Sequence, residues 1–170
     1  MPTSRIGVWL LLIGLIACTP QETDSTTERS TTPTSIVPAE GAPRPVIVDY
    51  SPTVSDVGGL MYLLSNPALE VLAISLPVTG EAGCELGLKV TFGVLAMLGR
   101  EEIPVACDED TPESAQQWPA EFLAGHEDLL SSLPESDAVP ASQSGPDLIA
   151  ESVLASDLPV VIWAVAPLTN

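Results

Sequence analysis

The sequence predicts an α/β fold: an open, mostly parallel sheet with flanking helices, incomplete at its carboxyl end. Three observations point to it. From about residue 45 onward, short apolar runs alternate with longer runs of helical period, which is the rhythm of strands joined by right-handed helical crossovers. The strand runs lack the polar alternation of a half-solvated sheet, so helices are expected on both faces. The last apolar run stops at Asn170 with no helix after it, which leaves one face of that strand without a cover and predicts a longer domain.

"PVIVD" (45–49) is the first strand. Beyond it Val57, Leu60, Met61 and Leu64 recur at i, i+3, i+4 and i+7, so one helical stripe faces a core. Ser55 is the expected N-cap of that helix. Gly58 and Gly59 are weak helix formers; close packing on the sheet or low propensity alone accounts for them. "NP" (66–67) ends the helix, and "LEVLAIS" (69–75) is the second strand. After the turn "PVTGEAG" (77–83) comes "CELGLKVTFGVLAML" (84–98), a helix apolar on most of its circumference and stopped by Gly99.

"IPVAC" (103–107) is the third strand. Residues 108–146 are rich in Pro, Ser and acids, with a short helix expected near 118–130. So long a connection reads as a lid or a poorly ordered insertion. "DED" (108–110) within it reads as a solvated acidic loop, Trp118 as a residue packing that loop down. Pro146 opens a last helix to about residue 155, and "LPVVIWAVAP" (158–167) is a fourth, buried strand with Trp163 in the core.

Ahead of this domain, residues 1–17 have the layout of a secretory signal: Arg5, an apolar run over 6–16, then small Ala17 before Cys18. The run is too short to span a bilayer. "LIAC" (15–18) resembles the bacterial lipobox, which implies cleavage before Cys18 and lipidation of that residue. Residues 18–45 then read as a disordered tether of Ser, Thr, Pro and Glu. The expected location is the outer face of a bacterial membrane, with the domain 46–170 held by a lipid anchor alone.

With 23 Asp+Glu against 5 Lys+Arg the formal net charge is −18. Lys89 and Arg100 are the only cations after Arg44, so no basic stripe can follow a phosphate backbone, and nucleic-acid binding is excluded. Gly-rich phosphate cradles, zinc spacings and Ser-His-Asp arrangements are also missing from the sequence. In an open parallel sheet, ligands gather beyond the carboxyl ends of the strands. The loops there are 49–56, 76–83, the segment after 107, and 166–170.

Cys84 and Cys107 belong to the same edge. A fifteen-residue helix runs about 22 Å down the sheet and a five-residue strand climbs back about 16 Å. A tilted helix brings the two cysteines within bonding reach, and a disulfide is expected in an oxidising compartment.

"VIVDYSPTVSD" (46–56), "LEVLAISLPVTGEAG" (69–83), "GREEIPVAC" (99–107), "GHEDLL" (125–130) and "VIWAVAPLTN" (161–170) together resemble the amino-terminal half of the inosine/uridine-preferring nucleoside hydrolases. That resemblance implies hydrolysis of the N-glycosidic bond of ribonucleosides, or of a related N-ribosyl compound, by a calcium-held water. It also implies a longer chain, which returns a His-Asp pair to the site. The family's signature reads Asp-Thr-Asp-Pro-Gly-Ile-Asp-Asp; Asp49, Pro52 and Asp56 match it, while Tyr50, Ser51, Thr53 and Ser55 depart.

By resemblance Asp56 and the carbonyl of Thr169 are metal ligands, with Asp49 a further candidate. Ser51 stands at the position of the general base. Ser55 stands at a ribose contact, Glu81 where the family has a sugar-binding asparagine, and His126 at a loop histidine. A serine removes a charge and a ligand oxygen, and its hydroxyl is no general base near neutral pH without help. The residues therefore leave two readings open. One is a lipid-anchored nucleoside hydrolase-like enzyme, the other a non-catalytic relative binding a nucleoside or small polar ligand. A homo-oligomer is compatible with both. His126, the single histidine, reads equally as a solvated side chain.

Overall fold

Four parallel strands form one sheet in the order β3-β2-β1-β4. They are β1 (Arg44–Asp49), β2 (Leu69–Leu76), β3 (Val105–Cys107) and β4 (Val161–Ala164). The helices are α1 (Val54–Ser65), α2 (Cys84–Leu98), α3 (Ala120–Leu130) and α4 (Gly145–Ala155). The structure is a computed structural model that describes residues 41–77, 83–108 and 119–166. Among the described residues no helix is long and apolar enough to cross a membrane.

Alternation along the strands sorts the core into two layers. Val46, Val48, Ile74, Leu76 and Val105 face α1 and α2, packing with Leu60, Leu64, Val90 and Val94. Ile47, Ala73 and Ala106 face the other way and meet Leu148 of α4. Between Val46 and Ile47 the register of β1 against β2 shifts, Val46 facing Val71 and Ile47 facing Ala73. The irregularity keeps the same sides buried above and below it.

Several expectations are corrected. The N-cap of α1 is Thr53, not Ser55: Thr53 is extended (φ −78°, ψ 161°) and its side chain accepts the Asp56 N–H, while Ser55 lies inside the first turn. β3 is shorter than 103–107 because Pro104 has no N–H to give the ladder. Among the described residues β4 is the outermost strand beside β1, and Val161 and Ile162 are 42% and 48% exposed, as a strand with an uncovered face would be.

The segment read as a lid or loose insertion touches the core at several of its described residues. Leu130 is buried, Leu133 and Ala138 join the larger core layer, and the Ala141 N–H donates to the Val105 carbonyl at 2.8 Å. An added Cβ on Gly93 of α2 would meet the Pro134 carbonyl oxygen at 2.8 Å and Leu133 Cβ at 2.9 Å. The glycine is what lets this strap lie flat on α2.

α2 spans the residues that periodicity predicts, and Gly99 closes it in the left-handed conformation at φ 64°. α4 is capped by Ser144, whose side chain accepts the Asp147 N–H, with Pro146 in its first turn.

Candidate functional site

The chain runs from β1 outward to β2 and β3 and then returns to the opposite side of β1 as β4. The strand order therefore reverses between β1 and β4, and the crevice of an open sheet opens at such a reversal, beyond the carboxyl ends. Residues 50–53 leave β1 at that point, and the chain after β4 leaves beside them. In register, Asp49 stands opposite Ser75 on one side and Ala164 on the other. The ladder extends slightly further: the Tyr50 N–H donates to the Ser75 carbonyl (3.1 Å) and the Val165 N–H to the Asp49 carbonyl (3.0 Å).

Asp49 and Ser51 are almost fully buried, at 3% and 4% exposure, on either side of a completely buried Tyr50. Then the loop turns tightly, the Thr53 N–H donating to the Ser51 carbonyl at 2.7 Å. At the start of α1 three side chains are linked. Thr53 Oγ1 and Ser55 Oγ are 3.0 Å apart, Ser55 Oγ donates to Asp56 Oδ1 at 3.4 Å, and Thr53 Oγ1 accepts the Asp56 N–H at 3.2 Å. Asp56 sits in the first turn, where the partial positive charge of the helix end favours a carboxylate.

Tyr50 is anchored in α2. Its hydroxyl and Thr91 Oγ1 are 2.7 Å apart, and Thr91 Oγ1 also donates to the Gly87 carbonyl at 2.8 Å. Burial pushes the Tyr50 hydroxyl far above the ordinary tyrosine range, and the charge of Asp56 adds to that rise. Beside this helix Cys84 and Cys107 form the expected disulfide, with Cα atoms 5.8 Å apart. It joins the first residue of α2 to the last of β3.

The fold thus gathers Asp49 at the end of β1, Ser51 in the loop, and Ser55 and Asp56 in the first turn of α1 along one short stretch at the reversal point. His126 is in helix α3 rather than in a loop. Glu81, Thr169, Cys18 and Trp118 lie outside the described residues, as do the second and third acids of "DED". The first of those acids is structural, since Asp108 Oδ1 accepts the Gly145 N–H at 3.0 Å and so serves the start of α4. Sequence reasoning missed the Tyr50–Thr91 pair. The available signal was Thr91 itself, a polar residue in the most apolar stretch of its helix.

As a metal centre the described donors are sparse. Calcium takes about six to eight oxygens, several of them carboxylate. Here the loop offers the carboxylates of Asp49 and Asp56 and a hydroxyl at Ser51. No group of three His, Cys, Asp or Glu that could hold a metal occurs among the described residues. The described residues alone fall short of the donors that calcium takes. A cavity of about 410 Å³ lies at the opposite, amino edge, lined by Pro45, Glu70, Leu72, Ser152, Asp157 and Leu158 among others, far along both strands from the loop.

A parallel sheet with acids at its strand-order reversal defines an open α/β protein, a class in which ligands gather beyond the carboxyl ends of the strands at such a reversal. The profile of one such family, the inosine-uridine preferring nucleoside hydrolases, matches residues 46–170, and the chain belongs to that family. A pyrimidine-specific ribonucleoside hydrolase of Shewanella sp. (strain MR-7) is 32% identical over 128 residues, covering 75% of this chain and 40% of the relative. One from Salmonella paratyphi A is 32% identical over 127 residues, with 74% and 40% covered. Among solved structures, a plant nucleoside hydrolase superposes with a TM-score of 0.64 at 28% identity, over 75% of this chain and 41% of that one. The inosine-uridine preferring nucleoside hydrolase from Bacillus anthracis, at 16% identity and a TM-score of 0.57 over 70% of this chain and 41% of that one, shares the fold. The chain spans about 40% of the length of the curated relatives it matches.

Proposed function

We propose that the loop 49–56 binds the ribose side of a ribonucleoside and that the protein hydrolyses its N-glycosidic bond. The observation that supports this reading is the position of Asp49 and Asp56. Both acids of the family signature that this chain retains stand on one loop at the strand-order reversal. The names of the relatives favour pyrimidine ribonucleosides as substrates. In such a reaction the bond from C1′ to the base nitrogen breaks, water oxygen bonds to C1′, and one water proton ends on the departing base. The sugar passes through an oxocarbenium-like state. In this reading Asp49, a buried carboxylate at the end of β1, takes the water proton, since Ser51 cannot do so near neutral pH. The hydroxyls of Ser51 and Ser55 are suited to hydrogen bonds with sugar hydroxyls. Calcium, implied by the family, would need ligands beyond those described, with Glu81 and Thr169 the candidates in this chain.

A second reading has one observation in its favour: Ser51, buried at the general-base position, is a hydroxyl. In that reading the crevice binds a nucleoside without turning it over. In either case the reading places the protein outside the cell, held by lipid on Cys18 through the tether.

Release of free base from uridine, cytidine and inosine by the full-length protein tests the proposal. Turnover is expected, with Asp49→Asn slower by about a hundredfold or more, the usual worth of a positioned base. Nucleoside binding without any release of base would establish the second reading instead.

A further inference from the structure

We infer that Thr91 and Gly87 of α2 are positioning residues for the loop 50–53, and that the Cys84–Cys107 disulfide holds α2 where they can act. The inference concerns the loop of the proposed ribonucleoside site but stands on contacts independent of any turnover.

The hydrogen bonds have a direction. Thr91 has one hydroxyl proton, and it goes to the Gly87 carbonyl at 2.8 Å. At 2.7 Å the proton between Thr91 and Tyr50 must therefore come from the tyrosine. Tyr50 OH donates to Thr91 Oγ1, which donates to Gly87 O, and both side chains are completely buried. A buried donor is costly to leave without its acceptor, so this bond pins residue 50 to one turn of α2.

A second contact pins residue 52 to the same turn. Gly87 has no side chain, and a Cβ there would stand 3.3 Å from Pro52 Cγ and 3.6 Å from Leu76 Cδ1. The bare helix backbone is thus the surface against which the Pro52 ring is seated. Tyr50 and Pro52 bracket Ser51, so the peptide that presents Ser51, and with it the end of Asp49, takes its place from α2.

The helix is itself held at its first residue. Gly83, its N-cap, makes no side-chain capping bond, and the covalent link from Cys84 to Cys107 stands at that point. Cys107 is followed by Asp108, which accepts the Gly145 N–H of α4. Loop, α2, β3 and the start of α4 form one connected series on the ligand edge.

Hydrogen exchange by mass spectrometry on the full-length protein tests this, comparing peptides over 50–57 with peptides over β1 and β2. Thr91→Val keeps the volume and removes the acceptor. It is expected to speed exchange in 50–57 by about tenfold, the factor for a lost hydrogen bond of ordinary strength, and to leave the strands as they were. Thr91→Ser restores the hydroxyl and is expected to exchange as the native protein does. The double variant Cys84→Ser/Cys107→Ser, which also lowers global stability, is expected to speed exchange in 50–57 more than in the strands. Tyr50→Phe, which deletes only the donor, serves should Thr91→Val fail to fold. Unchanged loop exchange in Thr91→Val or Tyr50→Phe, or an equal acceleration in loop and strands, overturns the inference. So does a Thr91→Ser protein that behaves as Thr91→Val. A protein that binds no nucleoside would still give a clear answer, so failure here and failure of the functional reading are separable.

Discussion

The indole ring of Trp163 lies against the backbone of Gly59, so close that a Cβ on Gly59 would stand 2.6 Å from Trp163 Cη2. One glycine therefore lets α1 settle over β4, on the side of the edge strand that the helix covers. Its neighbour Gly58 meets nothing within 4 Å. Gly59→Ala is expected to destabilise by about 1–2 kcal/mol, as overpacking against a rigid ring outweighs the helix-propensity gain. Gly58→Ala is expected to stabilise by up to about 1 kcal/mol, since only propensity changes. Urea midpoints of the two variants moving in opposite directions would check both.

Gly93→Ala is expected to cost about 1–3 kcal/mol, because the obstacle is the Pro134 carbonyl and not a flexible side-chain end. A protease accessibility assay should show the strap 131–141 cut faster in this variant than in the native protein. Equal cleavage would show that the strap shifts without loss.

The disulfide closes a loop of sequence separation 23, for which chain entropy predicts about 3 kcal/mol of stabilisation. Cys84→Ser/Cys107→Ser should lower the urea midpoint accordingly. Mass spectrometry of the native protein should show a two-dalton gain on reduction, roughly the mass of two hydrogens.

Burial raises the folded-state pKa of Tyr50 above its unfolded value of about 10. The stability this hydroxyl contributes is complete below pH of about 10 and is lost as pH rises above it, because the unfolded chain releases the proton first. The expected slope reaches about 1.4 kcal/mol per pH unit. It should be missing from Tyr50→Phe in urea titrations between about pH 9 and 11.

Ser51→Asp adds a carboxylate between Asp49 and Asp56, so it is expected to raise calcium affinity by about tenfold or more. Calorimetric titration of native and variant protein measures this. Identical titrations would mean that Ser51 is not at the metal position.

Much of the architecture was legible because local rules and tertiary packing agree. α2 is an example: its apolar circumference, its start after Gly83 and its stop at Gly99 all point the same way. Other elements needed the neighbours. The run 158–167 is apolar nearly throughout, yet burial depends on what lies beside a strand, and among the described residues β4 has a neighbour on one side alone. "TVS" offers two hydroxyls able to cap α1, and only the extended backbone of Thr53 chooses between them. For the 108–146 segment, composition suggested looseness, while Leu133 seated on Gly93 is a contact between residues far apart in the chain. At the site, the loop and its acids were legible from the motif. Its support by Tyr50 and Thr91 was not, because a hydrogen bond between residues 41 apart leaves no local pattern.

Calorimetric titration of the full-length protein with uridine tests the central claim most directly. The account predicts binding that Asp49→Asn and Asp56→Ala weaken by about tenfold or more, as loss of a charge-assisted hydrogen bond does. Asp157→Asn, at the opposite edge of the sheet, should bind as the native protein does. No binding, or equal affinity in all four proteins, would contradict it.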